Sequence, residues 1–474
     1  MGKDTWLEDS HGKIKEKLKE IVKKAEKRNV RFVIPTLEER IEIRKIIMDY
    51  VKRKNRIIYG GTAINKWIKK KNKKDAIYDE ETPGDIEFYS PEPLDDMYEL
   101  CNILFKEKFK NILGREAMHA ETYSIFVEHT PFCDISYMTE SIMKKNVPTD
   151  KFNGVKYVSP QFLINDMFRV FANPLHDYTF RLDKVFTRYS LIKKYYFNPP
   201  KKPKKCTCKK DISKDFVELK ETLFNKYVLN NKDVILCGVK AYHFYVEYSG
   251  YNKPIYNPSD NYDLVLIVDN IEEEAKKVLK LLDSEKEEIS IKEYTKFFQF
   301  YDRNLTFLYK GEKILTLLGY NKICTPFHVL KLDNSKDVFQ IVGFDYLIQY
   351  LNARGFKEIE NRVHYYCLFY YLMIMQEYYL KKHKLLGIEE DHLFSHFLIE
   401  CKWITLSGIY IKNEQRKQRF KERKGPVVYE YRPESKFISK SPSKKYLNAS
   451  GNQILQKSRL LIKDKKYLPN NIKQ

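Results

Sequence analysis

Acidic side chains with the spacing of metal ligands occur on two strand-like segments near the start of the chain. In GDIEFYS, Asp85 and Glu87 are two residues apart, so on a β-strand both point to one face. Neighbouring carboxylates repel each other, and a divalent cation such as Mg²⁺ or Mn²⁺ relieves that repulsion. Asp134, in FCDISYM, is a third acid, on another predicted strand. Three such carboxylates are typical of a two-metal phosphoryl-transfer site with ions ~4 Å apart, and a solvated strand face is the alternative for the Asp-x-Glu pair alone.

A pair of adjacent glycines precedes these acids. The segment IIYGGTAINKW (Ile57 to Trp67) joins a short apolar run to Gly60, Gly61 and Thr62, and a helix-like pattern follows. Because glycine has no Cβ, the backbone there can turn sharply and approach a ligand closely. The N–H groups at the start of the following helix can also face an anion. We therefore predict that these three residues bind phosphate, while an ordinary tight turn is the alternative for the pair taken alone.

The charge of the chain favours a polyanionic partner. Lys and Arg outnumber Asp and Glu by 86 to 64 over 474 residues, which gives a formal net charge of +22. Such an excess favours nucleic acid through phosphate neutralisation and release of counterions. The chain is also rich in Lys, Asn, Ile, Tyr and Phe together, so the codon bias of an AT-rich genome is an alternative source of the charge.

Neither a membrane segment nor a secretion signal is predicted. The N-terminal segment has no apolar core of a signal peptide, and the longest apolar run, Tyr365 to Met375, has 11 residues, too few to cross a bilayer. That run predicts a buried helix. Six of the eight cysteines occur singly in apolar segments and are predicted to be free buried thiols, in keeping with a reducing compartment. Cys206 and Cys208 lack further ligands at zinc spacing, so we do not predict a metal there.

Hydrophobic periodicity indicates which elements position the acids. Helices are predicted before the glycines, and strands with alternating apolar residues after them, which gives an α/β (α+β) fold. The residues at helical spacing are Ile14, Leu18, Ile21, Val22 and Ala25, then Ile41, Ile46, Ile47, Tyr50 and Val51. The predicted strands are Gly84 to Ser90, Ser124 to His129 and Phe132 to Met138.

The second half of the chain repeats the first. The segment VILCGVKAYHFYV (Val234 to Val246) is similar to RIIYGGTAINKWI, and Gly238 takes the position of Gly60. In both copies an aspartate follows that glycine by 25 residues, Asp85 in the first and Asp263 in the second. Constant spacing of this kind indicates a duplicated α/β unit, and coincidence in an Ile- and Lys-rich chain is the alternative.

The second copy has lost the other two acids. Val265 takes the position of Glu87. The later segments YVSPQFLI and IVGFDYLI also align, and counting back from them without gaps places Leu318 at the position of Asp134. The second copy is therefore predicted to keep the strand pattern without the metal ligands.

The order of strand, Gly-Gly, helix, Asp-x-Glu strand and third acid resembles the nucleotidyltransferase superfamily of DNA polymerase β. YGGTAIN, GDIEFYS and FCDISYM are most similar to the poly(A) polymerase catalytic subunits of mimivirus-like giant viruses and, more distantly, of poxviruses. The resemblance covers mainly residues 30–195 and extends more weakly through the second half. It implies that Gly60 and Gly61 approach the nucleoside triphosphate, that Asp85 and Glu87 bridge two metal ions, and that Asp134 binds the catalytic one. Poxvirus relatives have Asp where this chain has Glu87.

The resemblance implies two tandem nucleotidyltransferase-like lobes, the second degenerate and both with added helices. The predicted domains are a catalytic domain over residues 1–197, a basic linker over 198–213, the degenerate domain with helices over 214–424, and a weakly ordered basic tail over 425–474. Basic residues near a predicted RNA groove are Arg181, Lys184 and Arg188, together with the run Lys412 to Lys424.

The function implied by the resemblance is template-independent addition of a poly(A) tail to the 3′ end of single-stranded RNA, with ATP as substrate and two Mg²⁺ (or Mn²⁺) ions. It also implies a homodimer located in the host cytoplasm or the virion. Two alternatives remain open on the residues alone. One is a different terminal nucleotidyltransferase, uridylyl-transferring or oligoadenylate-forming. The other is a non-catalytic RNA-binding scaffold, which would have no use for three aligned carboxylates.

Overall fold

The computed structural model describes residues 5–29, 35–79, 82–117, 121–177, 181–197, 214–252, 264–282, 288–320, 325–389, 391–402 and 430–435. The helices are α1 (Thr5–Asn29), α2 (Leu37–Arg53), α3 (Gly60–Lys71), α4 (Pro93–Lys106), α5 (Glu140–Lys145), α6 (Pro160–Phe171), α7 (Pro174–Asp177), α8 (Arg181–Tyr196), α9 (Lys214–Leu223), α10 (Gly238–Ser249), α11 (Ile271–Leu281), α12 (Phe344–Lys357) and α13 (Arg362–His383).

The strands of the first sheet are β1 (Ile57–Ile58), β2 (Ile86–Ser90), β3 (Leu113–Glu116), β4 (Thr122–Val127), β5 (Thr130–Tyr137), β6 (Thr149–Phe152), β7 (Val155–Val158) and, from the end of the described chain, β16 (Glu430–Tyr431). The strands of the second sheet are β8 (Val234–Cys237), β9 (Leu264–Val268), β10 (Ile289–Tyr294), β11 (Asn304–Tyr309), β12 (Glu312–Gly319), β13 (Thr325–Lys331), β14 (Val338–Val342) and β15 (Cys401–Lys402). The predicted α/β class is confirmed.

The chain forms two compact units, each built around one of these sheets. The first unit comprises residues 1–144, 149–159 and 420–443, and the second comprises 145–148, 160–419 and 444–474. Helices α6 to α8 thus belong to the second unit, although they precede the predicted linker. That linker, residues 198–213, lies outside the described residues, so the predicted domain boundaries stay a prediction.

Seven strands of each sheet have the same order, and the eighth lies at opposite edges of the two sheets. The first runs β16-β3-β4-β5-β2-β1-β7-β6, and the second runs β10-β11-β12-β9-β8-β14-β13-β15. When β8 to β14 are matched to β1 to β7, the order is identical. The pairing directions also agree, since β1 is antiparallel to β2 and parallel to β7, just as β8 is to β9 and β14. The internal repeat predicted from the sequence is confirmed.

Strand register corrects one position of that repeat. In the first sheet Glu87 pairs with Asp134, and in the second Val265 pairs with Thr316, so Thr316 and not Leu318 is the counterpart of Asp134. The ungapped count was wrong because the second copy has two more residues before the last shared segment. Thr316 is buried and carries a hydroxyl, so this position still lacks a carboxylate. Asp263 lies outside the described residues.

The predicted helices form, but their burial differs from the sequence pattern. Among the apolar residues of α1, Ile14 is 39% exposed and Leu18, Ile21 and Val22 are each more than half exposed. Helix α2 begins with a capping box, in which Thr36 Oγ1 accepts a hydrogen bond from the N–H of Glu39 at 3.3 Å. The predicted Ile47, Tyr50 and Val51 are buried, together with Ile43. Ile41 is exposed and Ile46 is half-buried, so the buried face is shifted slightly from the predicted one.

Helix α13 contains the long apolar run Tyr365 to Met375 and is buried as predicted. None of the helices in the described part of the chain has the length and apolar character needed to cross a membrane. Of the cysteines predicted to be free and buried, Cys101, Cys133, Cys237 and Cys367 are so. The prediction was wrong for Cys401, which is disulfide-bonded. Apolar surroundings suit a thiol and a disulfide equally, so the sequence pattern could not separate them.

Part of the predicted tail is an ordered strand. β16 pairs antiparallel with β3 at the edge of the first sheet. The hydroxyl of Tyr431 donates to Asn102 Oδ1 at 2.6 Å, and its ring packs on Tyr98. Residues 430–435 therefore correct the prediction of weak order, while the rest of 425–474 and the run Lys412 to Lys424 lie outside the described residues.

A buried ion pair joins three elements of the first unit. Asp96 in α4 is 1% exposed and accepts two hydrogen bonds from the Arg56 guanidinium, at 2.7 and 2.8 Å. The Tyr50 hydroxyl, in α2, donates to the same carboxylate at 2.8 Å. Because Arg56 immediately precedes β1, this pair fixes the start of the strand that leads to the glycines.

We predict that Asp96→Ala lowers the free energy of unfolding by about 3–5 kcal/mol, because it leaves the Arg56 charge buried without its partner. Asp96→Asn keeps an acceptor for Tyr50, so its free energy of unfolding should lie between those of Asp96→Ala and the wild type. Asp95→Ala, at the exposed neighbouring position of the same helical turn, should change stability by no more than about 1 kcal/mol. Urea denaturation of the three variants measures these differences, and equal losses for Asp95→Ala and Asp96→Ala would contradict the prediction.

Candidate active site

The site begins at the turn from β1 into α3. Gly60, the first residue of the helix, has φ +61°, in the left-handed region that side chains avoid. A Cβ placed on Gly60 would collide with the carboxylate of Glu87. Gly60 is therefore required both for the backbone turn and for the close approach of the acidic strand. The second unit repeats this geometry at Gly238, with φ +71°, where an added Cβ would lie 2.8 Å from Val265.

Hydrogen bonds tie the start of α3 to the acidic strand. The N–H of Tyr59 donates to the carbonyl of Glu87 at 2.9 Å. The N–H of Gly61 donates to the Glu87 carboxylate, and the hydroxyl of Thr62 donates to the carbonyl of Asp85 at 2.7 Å. The glycine segment and the Asp-x-Glu pair, predicted from separate motifs, thus lie in direct contact. The Glu87 carboxylate sits at the helix N-terminus, where an anion is stabilised.

The third acid lies on the neighbouring strand. β2 and β5 are parallel, and Asp134 pairs with Glu87 across them. The Ser124 hydroxyl, on β4, donates to Asp134 Oδ1 at 2.5 Å. Burial raises the pKa of Asp134, the Ser124 hydrogen bond opposes this, and the charge of Asp85 raises it further. The negative charge of Asp85 therefore disfavours the ionised form of Asp134, and a bound cation would relieve this.

The alternation predicted for β2 is observed. Ile86 and Phe88 are fully buried, while Asp85 and Glu87 are half-buried on the opposite face. Among the described residues, however, no three His, Cys, Asp or Glu side chains are already grouped to hold a metal ion. The Glu87 carboxylate is occupied by the helix N-terminus and that of Asp134 by Ser124. The donor types fit a divalent cation, and at least Glu87 would have to change its partner to bind one.

Three residues at the site were not predicted from the sequence. Arg44, in α2, donates to the carbonyl of Gly84, and burial lowers the pKa of its guanidinium while Asp85 opposes that shift. The Tyr78 ring fills the space in front of Gly61 and Gly84, where any Cβ would meet it. Ser124 was visible only as one polar residue of a predicted strand. None of the three belongs to a spacing pattern, because tertiary contacts alone bring them to the acids.

The predicted RNA-binding residues Arg181, Lys184 and Arg188 lie on α8 in the second unit, and Lys184 is exposed. They are three to four residues apart and so share one face of the helix. Their predicted contact with RNA stays a prediction.

Models of known protein families match both halves of the chain. The family model "Poly(A) polymerase catalytic subunit" matches residues 45–177. The model "APMV, Putative poly(A) polymerase, catalytic subunit, C-terminal" matches residues 208–464, more than half of the chain. The first match contains the glycine turn and all three acids, and the second contains the degenerate repeat.

Individual relatives extend the match. The "Putative poly(A) polymerase catalytic subunit" of Acanthamoeba polyphaga mimivirus is 29% identical over 488 residues, 95% of this chain and 83% of the relative. A protein of the same description from African swine fever virus is 29% identical over 157 residues, 32% of each chain. The crystal structure of the Megavirus polyadenylate synthase superposes with a TM-score of 0.78 at 26% identity, covering 97% of this chain and 92% of that one.

Two units of one strand order, with a glycine turn beside paired acids in the first, define a nucleotidyltransferase with a degenerate second lobe. The chain belongs to the family of viral poly(A) polymerase catalytic subunits. It is a polynucleotide adenylyltransferase, and enzymes of this family use a nucleotide substrate and a divalent metal.

We predict that Gly60→Ala reduces adenylate addition at least ~100-fold, since one misplaced group in a positioned site can cost that much. The free energy of unfolding should also fall by about 1–2 kcal/mol, because alanine at this φ is strained. Gly238→Ala is the matched control, with the same strain against Val265 and a similar loss of stability. Its kcat/KM per folded molecule should match the wild type. Full activity of Gly60→Ala would contradict the assigned role of the turn.

Proposed function

We propose that Asp85, Glu87 and Asp134 hold two Mg²⁺ ions and that the first unit transfers AMP from ATP to the 3′ hydroxyl of RNA. The observation that carries this proposal is the strand register, in which Glu87 pairs with Asp134. Asp85 directly precedes β2, two residues before Glu87. When bound, the ions would activate the 3′ hydroxyl and neutralise the triphosphate. The protein's own residues supply the positions of both reactants.

The hydrogen bond from Gly61 to Glu87 gives that carboxylate a double role. Its oxygen stands where a phosphate oxygen would sit at the N-terminus of α3. With an ion bound, Glu87 would be one of its ligands, and the N–H of Gly61 would then be available to the triphosphate. Thr62 remains bonded to the carbonyl of Asp85 and keeps the helix start aligned with β2. These hydrogen bonds thereby fix the positions of the acidic strand and the phosphate-binding turn relative to each other.

Ser124 and Arg44 position the acids in this scheme. The Ser124 hydroxyl directs one oxygen of Asp134 and leaves the other for a cation. Arg44 donates to the carbonyl of Gly84 and so fixes the backbone directly before Asp85. These contacts orient the metal ligands before substrate arrives, which lowers the reorganisation required during reaction.

We predict that Asp85→Asn, Glu87→Gln and Asp134→Asn each lower the rate of adenylate addition at least ~1,000-fold, because each removes charge from a site that depends on both ions. Primer extension with single-stranded RNA measures the rate. The matched control is Asp150→Asn, an exposed carboxylate of β6 in the same unit, which should keep wild-type activity. Thermal melting should show all four variants folded.

The same assay tests the nucleotide. When the four ribonucleoside triphosphates are supplied separately with Mg²⁺, we expect ATP to extend the primer at least ~10-fold faster than the others, a discrimination of about 1.4 kcal/mol. Preference for UTP would favour a uridylyltransferase instead. Undiminished activity in all three acid variants would refute the proposed metal ligands while leaving the family assignment unaffected.

We also propose that the enzyme is a homodimer, as its family resemblance implies. An exposed apolar stripe on α1, formed by Ile14, Leu18, Ile21 and Val22, supports self-association, because such stripes are usually covered by another protein surface. A two-fold dimer would bury the same stripe from both subunits.

We predict that the full chain sediments as a dimer and that Leu18→Lys with Val22→Lys raises the dimer dissociation constant at least ~10-fold, since two charges would be buried in the apolar contact. The control is Val329→Lys, at another exposed apolar side chain, which should leave association unchanged. A monomeric wild-type chain would refute the dimer, and an unaffected double variant would move the interface elsewhere.

A further inference from the structure

A cavity of about 240 Å³ lies against β11 and β12 in the second unit. Thr306, Thr316 and Leu318 line it on the strand side. By strand register Thr316 is the counterpart of Asp134, and Thr306, its partner on the adjacent strand, is the counterpart of Ser124. The cavity therefore lies where the first unit has its catalytic acids.

The charge at this position is reversed. Lys313, Arg354 and Lys357 line the cavity together with Glu358 and Glu360, so the formal charges of its lining sum to a small positive excess. In the first unit, acids require cations before they can accept a phosphate. Here side chains of the protein supply the positive charge directly, so an anion can bind without a metal.

Lys357, at the end of α12, carries the uncompensated charge. Among the described residues its Nζ has no hydrogen bond or ion pair. It lies 4.9 Å from the centre of the Tyr294 ring and 5.2 Å from that of Tyr301. Burial and the nearby Arg354 charge lower the pKa of Lys357 to about 8, while Glu358 opposes the shift. Lys357 is half-buried, and an ammonium group taken partly out of water without an ion pair is unfavourable for stability. A bound anion would reduce that penalty.

The other two cations are held by the protein itself. Arg354 contacts Glu358 at 2.5 Å and donates to the Tyr350 hydroxyl at 2.6 Å, and Lys313 lies 3.6 Å from Glu358. Burial alone would raise the pKa of Glu358, but the Arg354 and Lys313 charges lower it to about 2, so it stays ionised. Because Glu358 pairs with Arg354 and Lys313, Lys357 is the cation whose ammonium group can bind a ligand.

Aromatic side chains complete the lining. Tyr294, Tyr301 and Tyr350 all border the cavity. The buried Tyr301 hydroxyl has no hydrogen-bond partner among the described residues, although buried hydroxyls normally have one. A hydroxyl without a partner, on a ring 5.2 Å from an ammonium group that has no ion pair, indicates a polar ligand that accepts hydrogen bonds and carries negative charge.

We propose that this cavity binds a nucleoside monophosphate unit, with its phosphate on Lys357 and Tyr301 and its base or ribose against the tyrosines. The volume is below the ~300 Å³ at which pockets for small molecules usually begin, so a single nucleotide is the upper limit. The unit is either a free nucleotide or one residue of the RNA strand. The proposal does not depend on the metal ligands assigned to the first unit.

Binding to the full-length protein in EDTA tests this site, because removal of divalent ions suppresses nucleotide binding by the acids. The probes are inorganic phosphate, AMP and a short oligoadenylate, titrated by calorimetry. Lys357→Met should raise the dissociation constant for AMP or the oligoadenylate at least ~10-fold, the loss expected when a charged hydrogen-bond partner is removed. Lys331→Met, at an exposed lysine of β13 outside the cavity lining, should leave every affinity unchanged.

The pattern of loss identifies the source of the nucleotide. Weaker AMP binding assigns the site to a free nucleotide, and a loss confined to the oligoadenylate assigns it to the RNA strand. The proposal is overturned if wild type and Lys357→Met bind all probes equally, if the wild type binds none, or if only inorganic phosphate responds.

A second variant covers the case in which Lys357→Met does not fold. Tyr301→Phe keeps the ring and removes only the hydroxyl, so it should weaken the same probe by a few fold, and unchanged binding would then overturn the proposal. Thermal melting adds a separate readout. Since Lys357→Met removes a half-buried charge that has no ion pair, the ligand-free variant should melt no lower than the wild type.

Discussion

The contact between Gly60 and β2 is the constraint on which the active unit depends. A single residue with positive φ turns the chain from β1 into α3 and brings the N-terminus of that helix against the acidic strand. Any side chain at this point would occupy the space of the Glu87 carboxylate. This contact orients the acids, and it also places the N-terminus of α3, where an anion can bind, next to them. The bidentate pair of Arg56 and Asp96 fixes the other end of the short strand.

The second unit keeps the glycine turn but lacks carboxylates at the positions of Glu87 and Asp134. Gly238 has the same positive φ and approaches Val265 as Gly60 approaches Glu87. The backbone turn is therefore a property of the fold and persists without acids to orient. At the position of Asp134 the second unit has the hydroxyl of Thr316, and Arg354 and Lys357 of α12 line the adjacent cavity. The two sheets share one pattern of strand pairing, but the equivalent position carries acids in the first unit and lies beside cations in the second.

Much of the site could be predicted because its signals are local. Two acids at spacing two on a strand must share a face, and a glycine pair after an apolar run marks a turn, whatever the rest of the fold. The errors concern long-range contacts. Thr316 was missed because loop lengths between duplicated strands are free to change, whereas register follows from hydrogen bonds. The periodicity of α1 was visible in the sequence, but its exposure was not, because an apolar stripe looks the same whether or not the protein itself covers it. The contacts of Arg44 and Tyr78 and the pairing of Glu430 and Tyr431 with β3 leave no periodic trace in the sequence.

The position of β16 at the edge of the first sheet affects how the protein is made. Its pairing joins residues 315 positions apart in the chain, Arg115 with Glu430. At ~5–20 residues per second, synthesis of the intervening segment takes roughly 15–60 s. During that time β3 is an open edge on a nascent chain, with unpaired N–H and C=O groups able to pair with other chains. The first unit to be translated is thus the last to close its sheet, and chaperones that shield strand edges would matter most in that interval.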